Sequence, residues 1–203
     1  MSRRSDHSKE EKVAMIIESG QKIMANEGLR GFSARKVARA IGYTVGTVYN
    51  VIGSHDDLIL HINAATLDEL NAFMSECIQP GLEESCAIKL LAGYYLEFAE
   101  SHYNRWSALF EYRLPQDVGL PDWYLNKISG LFQMLETPLV ALTRQNPLQT
   151  KLLAKTLWAS LHGICLLGLA GKLDAIGADS PKMMMDRLID HYLCGVREQA
   201  AIE

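Results

Sequence analysis

A chain of 203 residues, 48% hydrophobic and 22% charged, is long enough to bury a core and has the balance of a folded globular protein. Residues 1–12, MSRRSDHSKEEK, lack the apolar stretch of a signal peptide, and no apolar run approaches the length of a membrane span. The four cysteines (Cys77, Cys86, Cys165, Cys194) are scattered without a C-x-x-C pair, which excludes a disulfide scaffold and leaves reduced core thiols in a cytoplasmic protein with no membrane partner as the expectation.

The net charge of −4 hides an asymmetry: residues 1–50 carry +4 and residues 51–203 carry −8. A basic end on an acidic body fits a nucleic-acid contact confined to the N-terminal part.

In chain order, residues 1–7 are polar, and Arg3 and Arg4 are either a mobile arm reaching DNA phosphates or a solvated tail. A first helix is predicted from about Ser8 to Asn26, with Val13, Ile16, Ile17, Gly20, Ile23 and Met24 on one side and Gly28 closing it. Ser33 is a side-chain N-cap, and Val37, Ala38 and Ile41 form the apolar stripe of a second, short helix that ends at Gly42. Thr44 caps a third, with Val48 as its inward anchor and Thr44, Val45, Thr47, Tyr49 and Asn50 on the other face. Two short helices across a Gly-containing turn have the helix-turn-helix signature, whose second helix lies in the DNA major groove.

Residues 32–57 resemble the DNA-binding end of TetR-family bacterial transcription regulators. The resemblance rests on Ser33, Arg35-Lys36, Val37-Ala38, Gly42 and Gly46-Thr47-Val48-Tyr49. The chain departs from the pattern at Ile52, where the family commonly has an aromatic, and at His55, where it commonly has a lysine. The first is a core swap; the second replaces a fixed cation by an imidazole whose charge depends on pH. The resemblance implies that Ser33, Arg35, Lys36, Tyr49 and His55 contact phosphates of a palindromic double-stranded operator. It also implies that Thr44, Val45, Thr47 and Asn50 face the bases, where a valine can read a thymine methyl and an asparagine can pair with adenine, with Gly46 among the DNA-binding residues.

Ser54 caps a fourth helix that runs to about Ile78, with Asp56 and Asp57 in its first turn and Pro80-Gly81 ending it. Further helices are expected at Leu82–Ser101, Asn104–Leu114 and from Asp122 as a cap to Gln145, with Pro138 kinking or splitting the last at Thr137. Leu148–Leu173 is strongly apolar, and Ser180-Pro181 opens a final helix to about Gln199. No segment alternates with period 2, so the expected fold is all-α with nine or ten helices: a three-helix DNA-binding domain over residues 1–53 and a larger helical bundle over 54–203 for ligand binding and dimerisation.

The last two long helices offer more apolar surface than a monomer needs, and TetR-like proteins pair such helices with their two-fold mates. The expected homodimer places two recognition helices one turn apart on DNA. Monomer core is the competing use of the same stripes.

Trp158-Ala-Ser-Leu-His162-Gly looks like the W-x-x-x-H-G signature of one TetR C-terminal subfamily. Tyr95, Phe98, His102, Trp106, Phe110, Trp123, Trp158 and His162 are the candidate lining for a small apolar or aromatic effector, against a reading of each as plain core. No phosphate loop, nucleophile elbow, cofactor fingerprint or metal-ligand spacing is present, so no enzyme, cofactor or metal is expected. The expected function is a DNA-binding regulator, a repressor released by its effector; a helical protein-interaction adaptor is the alternative.

Overall fold

In a computed structural model of the chain, residues 7–79, 81–143, 146–178 and 180–200 are described. They form ten helices: α1 (Lys9–Gly31), α2 (Ala34–Ala40), α3 (Val45–Ile52), α4 (His55–Ser75), α5 (Glu84–Ser101), α6 (Tyr103–Glu111), α7 (Asp122–Thr143), α8 (Pro147–Leu169), α9 (Lys172–Ala175) and α10 (Pro181–Ala200). The fold is all-α, as the periodicity predicts. Arg3, Arg4, Pro80 and Gln145, to which arm, terminator and helix-end readings attach, lie outside the described residues.

The chain forms two compact units: Met1–Glu69 with His102–Leu125, and Leu70–Ser101 with Asn126–Glu203. The first holds the three N-terminal helices, α6, most of α4 and the first turn of α7. Local chemistry sets its helix ends. Ser8 and Glu11 form a reciprocal capping box on α1. Gly28, at φ 66°, interrupts the helical backbone, and one more turn follows to Gly31. Ser33 Oγ accepts from the Lys36 amide, and Gly42, at φ 75°, makes the turn out of α2. Ser54 Oγ accepts from the Asp57 amide while Asp57 Oδ2 accepts from the Ser54 amide, a second reciprocal cap.

Ile16, Met24, Val37, Val48, Leu58, Ile59 and Ile62 close one buried core. Full burial of each aliphatic side chain contributes about 1.5–3 kcal/mol. α6 packs on α1, where Asn104 Nδ2 donates to the Ala25 carbonyl at 2.8 Å. Asn63 of α4 donates to the Ala108 carbonyl at 3.2 Å, and the Tyr112 hydroxyl donates to Asp56 at the start of α4.

In the second unit, α10 packs antiparallel on α5 and also contacts α8, with Met185, Ile189, Leu193 and Val196 buried along one stripe. Lys89 of α5 pairs with Asp190 at 2.6 Å, and the Tyr192 hydroxyl donates to the Leu153 carbonyl at 2.9 Å.

The structure corrects several expectations. α7 is not split at Thr137: Pro138 lies inside one helix, and the Thr137 hydroxyl caps the Gln133 carbonyl at 2.8 Å. Asp122 is the first helical residue of α7 rather than its cap. The apolar run 148–173 is two helices, because Gly171 at φ 64° turns the chain between α8 and α9. Cys77 and Cys165 are buried thiols, but Cys86 and Cys194 are exposed. α8 is long and apolar enough, by length and composition, to cross a membrane, contrary to the reading of its sequence. It packs against α5, α9 and α10 along one face, with Ala154, Leu157, Leu161 and Cys165 buried.

Candidate nucleic-acid interface

α3 is anchored on one side and open on the other. Val48 is fully buried, and Val45, Tyr49, Val51 and Ile52 pack partly against the core. Thr44, Gly46 and Asn50 are exposed, and Thr47 is half-buried. Thr44 Oγ1 accepts from the Thr47 amide at 3.1 Å and lies 2.9 Å from the Thr47 hydroxyl, so the two threonines at the helix start are held together. Gly46 is not demanded by packing, because a Cβ there would meet only Thr44 Oγ1 at 3.7 Å.

An open recess of about 410 Å³ lies beside α3, lined by Phe32, Ser33, Ala34, Arg35, Val45, Tyr49 and His55. Four of the five residues expected to touch phosphate, Ser33, Arg35, Tyr49 and His55, line it together. The His55 ring leans on Phe32 at a centroid distance of 6.4 Å.

Two placements differ from the sequence reading. Lys36 is turned back onto α1, paired with Glu27 and donating to the Gly31 carbonyl at 2.8 Å. Val45 lines the recess and packs on the core rather than standing wholly on the outer face. Arg39 is an exposed cation one helical turn beyond Arg35, which the i, i+4 spacing on α2 would have found. Tyr43 is a further residue of interest. His7 Nδ1 lies 2.8 Å from its hydroxyl and Lys12 Nζ lies 5.8 Å from its ring centroid, partners that only the tertiary fold brings together.

The eight candidate lining residues are divided between the units. His102, Trp106, Phe110 and Trp123 belong to the first. There His102 precedes α6, Trp106 is fully buried with Phe110 edge-on at 5.3 Å, and Trp123 stacks on His61 at 4.9 Å. Tyr95, Phe98, Trp158 and His162 belong to the second. The Tyr95 hydroxyl lies 2.8 Å from His162 Nδ1, Trp158 stacks on His162 at 5.2 Å, and Phe132 meets Trp158 edge-on at 5.5 Å. Phe98 is buried against Phe73. Burial lowers the His162 pKa and pushes the nearby Cys165 thiol up to about 12, so that thiol stays protonated and unreactive.

A capped, three-helix unit with an open second helix and a basic recess beside it defines a helix-turn-helix DNA-binding protein. Residues 88–192 match the family model described as the tetracyclin repressor-like, C-terminal domain. The chain belongs to the TetR family of transcriptional regulators, a family that binds DNA operators as dimers and is not an enzyme class.

An uncharacterized HTH-type transcriptional regulator of Mycobacterium tuberculosis is 24% identical over 168 residues, 81% of this chain and 73% of that protein. Among solved structures, a protein of unknown function from Rhodococcus sp. RHA1 superposes with a TM-score of 0.74 at 16% identity, covering 96% of this chain and 98% of the other. A TetR-family transcriptional regulator from Streptomyces coelicolor gives a TM-score of 0.67 at 15% identity, over 97% and 90% of the two chains.

Proposed function

We propose that this regulator is a cytoplasmic, dimeric repressor that binds a palindromic operator and leaves it when a small apolar or aromatic effector binds. The observation that carries the DNA reading is the recess in which Ser33, Arg35, Tyr49 and His55 converge, beside the exposed face of α3. Arg35 supplies a fixed positive charge there, and hydroxyls and an imidazole supply hydrogen bonds, the groups that position a protein on phosphates. Thr44, Thr47 and Asn50 then meet base edges, and Gly46 lets the helix backbone approach closely. Lys36 contributes after it exchanges Glu27 for a phosphate.

Dimerisation is assigned to α8 and α10. Leu148 and Leu152 are 80% and 66% exposed and share a stripe with Ala159, Gly163 and Leu166. A stripe of that kind on a helix packed on its other side suits a two-fold mate. Effector binding is assigned to the aromatic group of Tyr95, Phe132, Trp158 and His162 within the second unit. The effector acts through its different affinity for the DNA-bound and released states.

The test is selection of bound duplexes from a random pool by the purified protein at moderate salt. Recovery of a palindrome is the expected result. Recovery of unenriched sequence, with binding that does not weaken steeply as salt rises, favours the protein-interaction adaptor.

A further inference from the structure

The geometry points to a second phosphate contact of the DNA interface, formed by Tyr43, Lys12 and His7, separate from the recess and assigned by none of its lining residues. The inference rests on the DNA reading above. Tyr43 immediately precedes Thr44, the N-cap of α3. The N-terminal end of a recognition helix is the end that meets base edges, so the residue before it lies level with the flanking sugar–phosphate strand.

The backbone there is fixed. Gly42 is in the left-handed conformation, and the Tyr43 amide donates to the Ala38 carbonyl at 2.9 Å. Polar groups from two parts of the chain meet at this point. The Tyr43 hydroxyl lies 2.8 Å from His7 Nδ1, the two rings meet edge-on at 6.2 Å, and the Lys12 ammonium sits 5.8 Å from the tyrosine ring centroid.

Lys12 and Tyr43 are half-buried, so their positions are set by packing before any ligand arrives. An ammonium, a hydroxyl and an imidazole held together suit a monoanionic phosphodiester. Two acids beside Lys12, Glu10 and Glu11, are engaged at the helix cap. Glu11 accepts from the Ser8 amide at 2.7 Å, and hydrogen bonds to its own backbone and to Ser8 hold Glu10 below the usual carboxylate pKa.

A staple that merely ties α1 to the turn would hold the same contacts, and the two roles separate experimentally. The probe is a fluorescein-labelled duplex of random sequence, titrated at several salt concentrations with wild type, Lys12→Gln, Lys12→Arg and Tyr43→Phe, each checked by thermal melting. Each protomer of a dimer loses one phosphate contact in Lys12→Gln. The slope of log affinity against log salt is therefore expected to shrink by roughly 2, at about 0.9 per phosphate. Lys12→Arg is expected to restore the slope, and Tyr43→Phe to weaken binding several-fold with little change in slope. A Lys12→Gln protein with a lowered melting temperature but the wild-type salt slope overturns the second contact and leaves the DNA reading standing. Wild type that binds no duplex at any salt overturns both.

Discussion

Gly46 and Gly20 show how differently two glycines constrain one unit. At Gly20 a Cβ would lie 2.4 Å from Ile62 Cδ1, inside the core, so the glycine is there to let α1 and α4 approach. Gly20→Ala gains about 1 kcal/mol of helix propensity and loses about 1–3 kcal/mol to overpacking, a net loss readable by urea denaturation. At Gly46 the chain leaves room for a side chain. Gly46→Ala is expected to hold or raise stability by up to about 1 kcal/mol while weakening operator binding, and an alanine variant with full operator affinity would remove the close-approach reading. His162 sets a pH dependence at the same scale. Its pKa is lowered by burial in the folded state, so the unfolded chain takes up the proton first. The stability it contributes is present above the ordinary histidine range and is lost as pH falls through it. The melting temperature should drop between neutral pH and pH 5, and His162→Gln should drop less.

At the scale of elements, α6 carries the most consequence for the first unit. It is tied to α4 by Arg105, whose guanidinium meets Glu69 at 2.7 Å, and Glu69 also accepts from Gln21 of α1 at 2.7 Å. Arg105 is only 12% exposed and its Nε has no partner among the described residues, so the charge depends on Glu69. Glu69→Ala is expected to destabilise by about 1–3 kcal/mol, measured by denaturation, because a largely buried charge loses its acceptor. The three-helix motif was legible because caps and turn glycines (Ser33, Gly42, Thr44) are local chemistry that acts before tertiary packing. The membership of α6 was not legible: Asn104 reaching Ala25 and Tyr112 reaching Asp56 span most of the unit's sequence and leave no local signal. The same holds for Lys36, whose spacing reads as a free cation until Glu27 is brought alongside. Pro138 misled because proline removes one helix bond, and a long apolar helix survives that loss where its neighbours hold it.

For the whole molecule, α8 carries four exposed leucines among the described residues. Sequence periodicity could not divide α8 between core and surface. Packing does so: Leu157 and Leu161 are buried, whereas Leu148, Leu152, Leu166 and Leu167 are exposed. Leu152→Glu is expected to give a folded monomer by sedimentation and a large loss of operator affinity. A Leu152→Glu dimer would move the interface elsewhere.

The placement of the aromatic rings has an optical consequence. The three tryptophans fall as a fully buried Trp106 and a His61-stacked Trp123 in one unit and a His162-stacked Trp158 in the other. An imidazole quenches a stacked indole when it gains a proton. With Trp106 and Trp123 each replaced by phenylalanine, the remaining emission reports the second unit alone. With Trp158 replaced, it reports the first unit. The molecule thus carries an intrinsic fluorophore in each half, with no label needed to follow which half responds to a candidate effector.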